Sequence, residues 1–422
     1  MNARRIDATF DRSMSRPRLP AATVAAVAVL LLAAYAALWA GVSQANIGTS
    51  DFTAIYVGGT LLREGHGAAI YDQTLQAPLH AALIAPLQRG NLPFVSPPLA
   101  AAAVVPLTLL PLTAAYRLWQ ALQLLMLAVA VLVATRAAPW PAALRRSGVA
   151  GAAALASLAG TGTLSLGLLG QWDGFSALGL AGAYALWRRG DRFAGGAVLA
   201  ATAAIAKPHL ALGLALLLLG WRDRRVLAGA AAGLAAVLLL SLLAVGPGGL
   251  GGFVEAARGD AGRWPLASML GFTGLFGSWL GDGAATQLLA AAGSALAVAG
   301  CLFLGRRLAR GSALEPCLAA ATLLSLLASP HLLSHDLVLL APVVVALLAW
   351  AAVHEGSILW PGPHGRSVLA GWVLLSLATA LDLGSQTAAP PGRLVPWALL
   401  GLAGLLIWHL RLRSPRLAPA PT

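Results

Sequence analysis

The chain holds 422 residues, fifteen carboxylates and a single lysine, so few of its side chains can do ionic or acid–base chemistry. Asp51 follows Ser50 just after the first apolar run and heads the stretch "DFTAIYVGGTLLREG". A carboxylate at that place either caps a helix or serves as a general base, with partial desolvation raising its proton affinity enough to take a hydroxyl proton. Lys207, with Pro208 and His209 behind it, interrupts two apolar runs in "AAIAKPHLAL". It reads as a snorkelling side chain at a helix end or as an ammonium facing an anion such as a phosphate.

"SPHLLSHDLVLLAP" sets His331, His335 and Asp336 behind a helix break at Pro330. On a helix the two histidines would share a face, a spacing that suits donation to a phosphate oxygen, a buried structural pair or a metal. No third ligand of the HExxH kind accompanies them, and no metal is expected. Gln171 and Asp173, in "LLGQWDGF", stand where two apolar runs meet. They could hold sugar hydroxyls with Trp172 stacked on a sugar face, or Asp173 could cap the next helix. Glu64 and Asp72 read as solvated or turn residues. Cys301 and Cys317 lie in or beside apolar runs and imply neither a disulfide framework nor a metal site. No Walker motif, nucleotide-binding glycine pattern or Ser-His-Asp order is present, so soluble nucleotide chemistry has no support and no cofactor is expected.

The elements that must position these residues are membrane helices. With 59% hydrophobic and 10% charged residues, the chain has too little charge for a water-soluble surface of its size. Apolar runs near 21–42, 98–112, 114–135, 148–170, 172–187, 193–206, 208–220, 226–246, 284–304, 314–329, 337–353, 368–383 and 394–410 fit a hydrocarbon core about 30 Å thick. An all-α polytopic fold follows. The net charge of +13 comes from arginine clusters between those runs, including Arg145-Arg146, Arg188-Arg189, Arg222 to Arg225 and Arg306-Arg307. That pattern is the positive-inside signature of cytoplasmic loops, and it makes nucleic acid an unneeded partner.

Both ends are arginine-rich and are expected inside, which demands an even number of crossings. About twelve result if one piece fails to cross or two merge. The first run, about 22 residues long, is expected as an uncleaved helix. If 193–206 and 208–220 form a hairpin, Lys207 approaches the outer side. The expected organisation is a cytoplasmic tail 1–20, a transmembrane domain 21–410 with outer loops 43–97 and 247–283, and a cytoplasmic tail 411–422. An amphipathic interfacial helix is expected directly after Asp51, and an amphipathic or re-entrant segment in the second loop.

The order "SDF…LLREGHGAAIYD…SPPLAAAAVVPLTLLPLTAAYRLWQ…GLLGQWDGF…AGGAVLAATAAIAKPHLALGLALLLLGWRDRR…SPHLLSHDLVLLAP" resembles glycosyltransferase family 87, polytopic enzymes of the GT-C superfamily, over about residues 45 to 350. The resemblance implies a GT-C-like bundle. It also implies transfer of a hexosyl group, typically mannosyl, from a polyprenyl-phosphate sugar to a glycolipid or exported glycan, on the outer face of the cytoplasmic membrane and with inversion. Within it Asp51 would be the base, Lys207, His331 and His335 would face the donor phosphate, and Gln171, Asp173 and Asp336 would line the substrate site. The sequence departs from the family's habit with "FVSPPL" before the second span, with Asp173 where Asn is frequent, and with Asp336 where Tyr is frequent. Asp336 is therefore a rival base. A transporter or flippase of lipid-linked sugar is the alternative from another class, but it predicts internal repeats that the sequence lacks. A non-catalytic scaffold would leave Asp51 and Lys207 unexplained.

Overall fold

The structure is a computed structural model that describes residues 18–87, 92–259, 265–355, 361–384 and 392–412. Most of both expected tails lies outside the described residues, where nothing bears on their sidedness. Every described element is a helix, and the expected apolar runs coincide with helices to within a few residues at most ends. By length and composition, six described helices can cross a membrane: Ala21–Ala40, Leu112–Ala137, Arg224–Gly259, Ala284–Ala309, Ser334–Glu355 and Pro363–Leu383. A seventh span arises if the bent pair Val149–Leu158 and Thr161–Leu169 counts as one. That pair covers the run expected over 148–170, and the chain turns by 51° at the break, where Gly160 is extended.

One expectation changes. The helix Asp51–Arg63 is not an amphipathic helix lying at an interface, since every residue from Phe52 to Leu61 is buried. Its polar residues spend their hydrogen bonds inside: Thr53 donates to the Ile47 carbonyl at 2.8 Å and Tyr56 to the Leu110 carbonyl at 2.8 Å. The run expected over 226–246 ends where the helix from Arg224 breaks, at Gly246 with φ 67° and ψ −179°, and a second helix follows from Pro247 to Gly259. This second helix lies against Gly67–Tyr71, with Phe253 5.9 Å from Tyr71 and both gathered around Val57, Ile70 and Phe94.

Lipid chains are as apolar as leucine, so packing and backbone approach hold membrane helices together more than water exclusion does. The contact between Arg192–Ala206 and Arg224–Gly259 shows the consequence. A Cβ on Gly229 would overlap the Phe193 carbonyl, one on Gly233 the Ala197 carbonyl, and one on Gly196 the Val226 carbonyl. "GAAAG" over 229–233 is thus a small-residue face against which a second backbone rests. The same device joins Leu212–Trp221 to Ala284–Ala309, through Gly220 against Leu302 and Gly305 against Leu217. Gly229→Val is expected to cost about 1–3 kcal/mol by overpacking, read as a lower thermal midpoint of the detergent-solubilised protein. An unchanged midpoint would show that this crossing is not close-packed.

Candidate functional site

Four interruptions in the helices meet at one place, and each has a local cause. Gly170 ends the helix Thr161–Leu169 in the left-handed region, φ 80° and ψ 33°. A side chain there would be strained and would also strike Phe52. Tyr116 donates to the Leu168 carbonyl at 2.8 Å and Trp119 to the Gly170 carbonyl at 2.9 Å, which pins this turn to the long helix Leu112–Ala137. Lys207 precedes a proline, which disfavours the helical region for the residue before it. It is extended, φ −144° and ψ 78°, at the end of Arg192–Ala206. Leu314–Ala328 stops at Ser329-Pro330, and Asp51 opens its own helix directly after Ser50.

The first pair brought together is Asp51 and Gln171. The Gln171 amide donates to one Asp51 carboxylate oxygen at 2.8 Å, across 120 residues of sequence. Ser50 takes the cap position without a capping bond from its side chain, its hydroxyl donating instead to the Ile47 carbonyl at 2.7 Å. The Asp51 carboxylate is therefore not spent on capping, one of the two roles its position allowed. Burial pushes its proton affinity above the ordinary carboxylate value, opposed in part by the Gln171 bond and by the charges of Lys207 and His331. By contrast Asp72 does cap, accepting from the Thr74 hydroxyl and backbone N–H, both at 2.8 Å. Those two bonds hold it below the ordinary value.

The second grouping is ionic. The Lys207 ammonium, 9% exposed, lies 3.0 Å from an Asp173 oxygen and 2.6 Å from an Asp336 oxygen. It does not snorkel to an edge, and Asp173 engages the ammonium rather than capping its helix. The other Asp336 oxygen accepts from the Leu333 N–H at 2.7 Å, so both sides of that carboxylate are engaged. His335 lies beside the triad, its Nε2 3.6 Å from Asp336 and 3.8 Å from Asp173, too far for a hydrogen bond. Its Nδ1 and the second Asp173 oxygen are buried with no hydrogen-bond partner among the described residues.

The histidine spacing needs correction. His331 and His335 do not share a helical face, because residues 329–333 are non-helical and a 3-10 turn over Ser334–Leu339 carries His335 and Asp336. His331 instead meets His209, ring centroids 6.5 Å apart at 89°. His209 therefore belongs beside the expected set; its adjacency to Lys207 was the only signal for it in the sequence. Asp173, His335 and Asp336 offer atoms within 4.8 Å of one another, a spacing compatible with a cation. The cation that stands between the two carboxylates is the ammonium of Lys207. Trp172 is not open to a sugar face: it is buried, 4.6 Å from Trp119 and 5.8 Å from Phe175 between ring centroids. It packs in the apolar cluster with Phe52, Tyr116 and Trp119 rather than forming a platform.

All seven expected residues thus fall within one polar cluster inside an apolar protein, where the Asp51 carboxylate feels the charges of Lys207, His331 and Asp336. A buried lysine, three carboxylates and three histidines at a meeting of broken helices define a polar site, inside an apolar helix bundle, of the kind that handles a charged group. The model of glycosyltransferase family 87 matches residues 94–330, more than half of the chain, and the protein belongs to that family. The match includes Gln171, Asp173 and Lys207, and it ends just before His331. No curated protein and no solved structure matches the chain.

The triad carries a stability consequence. Lys207→Met would leave two buried carboxylates facing each other without a counter-charge, a loss expected at about 3–5 kcal/mol. Adding Asp173→Asn and Asp336→Asn should recover most of the thermal midpoint in detergent. If Lys207→Met alone melts like the wild type, the triad is not holding these segments together.

Proposed function

We propose that this glycosyltransferase moves a hexosyl group, mannosyl as the family resemblance suggests, from a polyprenyl-phosphate sugar to a hydroxyl of a lipid-linked or exported glycan. The reaction takes place on the outer face of the cytoplasmic membrane and inverts the anomeric centre. On this reading residues 21–410 cross the membrane about twelve times, both tails are cytoplasmic, and segments 43–97 and 247–283 lie outside. The observation that supports it most is the Asp51 carboxylate, partly exposed, held by Gln171 at 2.8 Å and made more basic by burial.

A general base needs an open lone pair and access to the proton it takes. Asp336 is less open, being 1% exposed with Lys207 on one oxygen at 2.6 Å and the Leu333 N–H on the other at 2.7 Å. Asp51 has one bond to Gln171 and no other hydrogen bond to its carboxylate among the described residues. In the proposed step Asp51 takes the acceptor hydroxyl proton as the oxygen attacks the sugar C1, and the C1–O bond to phosphate breaks. The leaving phosphomonoester gains negative charge, which Lys207, His331 and His335 are positioned to offset, with His209 added. Gln171 acts as a positioning residue for Asp51, and Asp173 and Asp336 orient Lys207.

Asp51→Asn is expected to lower kcat by about 10²–10⁴-fold while binding of a polyprenyl-phosphomannose donor holds. With wild type, kcat/KM should fall towards acid pH with a midpoint above the ordinary carboxylate value, because Asp51 must be ionised to act. A raised folded-state pKa means the protonated carboxyl stabilises the fold at low pH, and this contribution is lost as pH rises through that raised value. Asp51→Asn should therefore melt at or above the wild-type temperature at neutral pH. Equal turnover by wild type and Asp51→Asn would remove Asp51 as the base.

The Gln171 bond favours the ionised carboxylate, so Gln171→Ala should move the acid limb of kcat/KM to higher pH. A change in KM for the acceptor, with the acid limb unmoved, would make Gln171 a substrate ligand instead.

A further inference from the structure

One cavity lies away from Asp51. It encloses about 410 Å³ where the end of Ala284–Ala309, the start of Leu314–Ala328, the end of Leu340–Glu355 and the helices Pro363–Gly384 and Leu394–Leu412 come together. Leu314–Ala328 begins at the arginine end of this cavity and ends at the His331 side; its fifteen residues put that end about 22 Å from the His331 side. The apolar end reaches Leu340, a few residues after Asp336, but the cavity shares no residue with the polar cluster.

Its lining is divided along its length. Leu340, Leu347, Trp350, Trp372 and Leu375 form a buried apolar shaft, and Leu405, 58% exposed, marks where the shaft opens to the outside. Arg307, Arg310, Ser312, His354, His364 and His409 surround the other end. His364 is tied to Glu355 at 2.9 Å, and Arg307 donates to the Leu410 carbonyl at 2.6 Å, so that end is held in place by its own contacts. At about 30 Å³ for each water-sized group, the space holds roughly a dozen such groups. That is the bulk of part of an acyl chain.

We propose that this cavity binds an anionic phospholipid, its phosphate on Arg307 and Arg310 and an acyl chain in the shaft. An apolar channel in an apolar helix bundle, ending at two arginines and a serine hydroxyl, matches an amphiphile with a negative head. The chain's own segment 413–422 is a poorer occupant by charge, since it carries Arg413 and Arg416 and no carboxylate. Arginine suits the role because its planar fork pairs with phosphate oxygens at two points.

The test uses full-length protein in mixed phosphatidylglycerol and phosphatidylcholine nanodiscs, with retained lipid counted by native mass spectrometry after gentle release. Wild type is expected to keep phosphatidylglycerol in preference to phosphatidylcholine. Arg310→Ala should lower that retention roughly fivefold, the effect of losing one arginine near an anionic lipid surface. Leu406→Trp, which fills the shaft, should abolish it, whereas Leu240→Trp, on an exposed helix face elsewhere, should not. Excess inorganic phosphate should not displace the lipid. Displacement by phosphate would overturn the proposal in favour of a headgroup-only anion site, and equal retention of the two lipids would overturn it in favour of an uncharged apolar groove. Equal retention by Leu406→Trp and wild type would place the lipid elsewhere on the protein.

Discussion

An ammonium taken out of water is tolerated only where opposite charge and hydrogen bonds replace its hydration, and Lys207 meets that demand with Asp173 at 3.0 Å and Asp336 at 2.6 Å. The two carboxylates stand 34 residues before and 129 residues after it. One interaction therefore binds three helix ends that the chain order leaves far apart. The replacement is incomplete: two carboxylates face one ammonium, and one Asp173 oxygen has no hydrogen-bond partner among the described residues. A site arranged only for stability would not leave that remainder.

The location of the cluster follows from what a bilayer permits. Non-helical backbone at membrane depth must be buried in protein or line a polar cavity, because its free N–H and C=O groups find no water in hydrocarbon. Gly170, Lys207-Pro208 and Ser329-Pro330 each interrupt a helix, and each break exposes backbone that needs partners. The tyrosine and tryptophan bonds to the carbonyls of Leu168 and Gly170 satisfy one break. Ser325, whose hydroxyl donates to the Leu210 carbonyl at 2.6 Å and accepts from the Gly213 N–H at 2.9 Å, satisfies another. Polar residues gathered to serve broken helices are also the residues able to serve a charged substrate.

Much of this was legible in the chain. Apolar runs bounded by arginine and proline marked the helices, and the rarity of ionisable residues made nearly every site residue visible by type alone. What stayed hidden was pairing. Nothing local distinguishes a Gln171 that holds Asp51 from one that holds a sugar, because the partner is 120 residues away. The alternation of Thr53, Tyr56 and Thr60 with apolar residues looked like an amphipathic surface, yet it describes a helix with hydrogen-bonding partners on several buried sides. His331 and His335 misled for a related reason. Their four-residue spacing has meaning only on a continuous helix, and Pro330 with the extended Leu333 denies them one.

Charge sets a condition on any phosphate donor that reaches this cluster. With neutral histidines and all three carboxylates ionised, Asp51, Asp173 and Asp336 would outnumber Lys207, and an arriving phosphate would meet a net negative site. The attraction it needs has to come from exchange: phosphate oxygens would replace a carboxylate beside the ammonium, or protons would arrive on the carboxylates or histidines as the donor binds. Asp173 is the carboxylate best placed to yield, because among the described residues its one hydrogen bond is to Lys207, while Asp336 is also anchored by the Leu333 N–H. On the proposed reading, donor binding and proton uptake are then linked. The leaving phosphate would depart from a site that regains its internal ion pairs, so the same two carboxylates that resist binding would favour release.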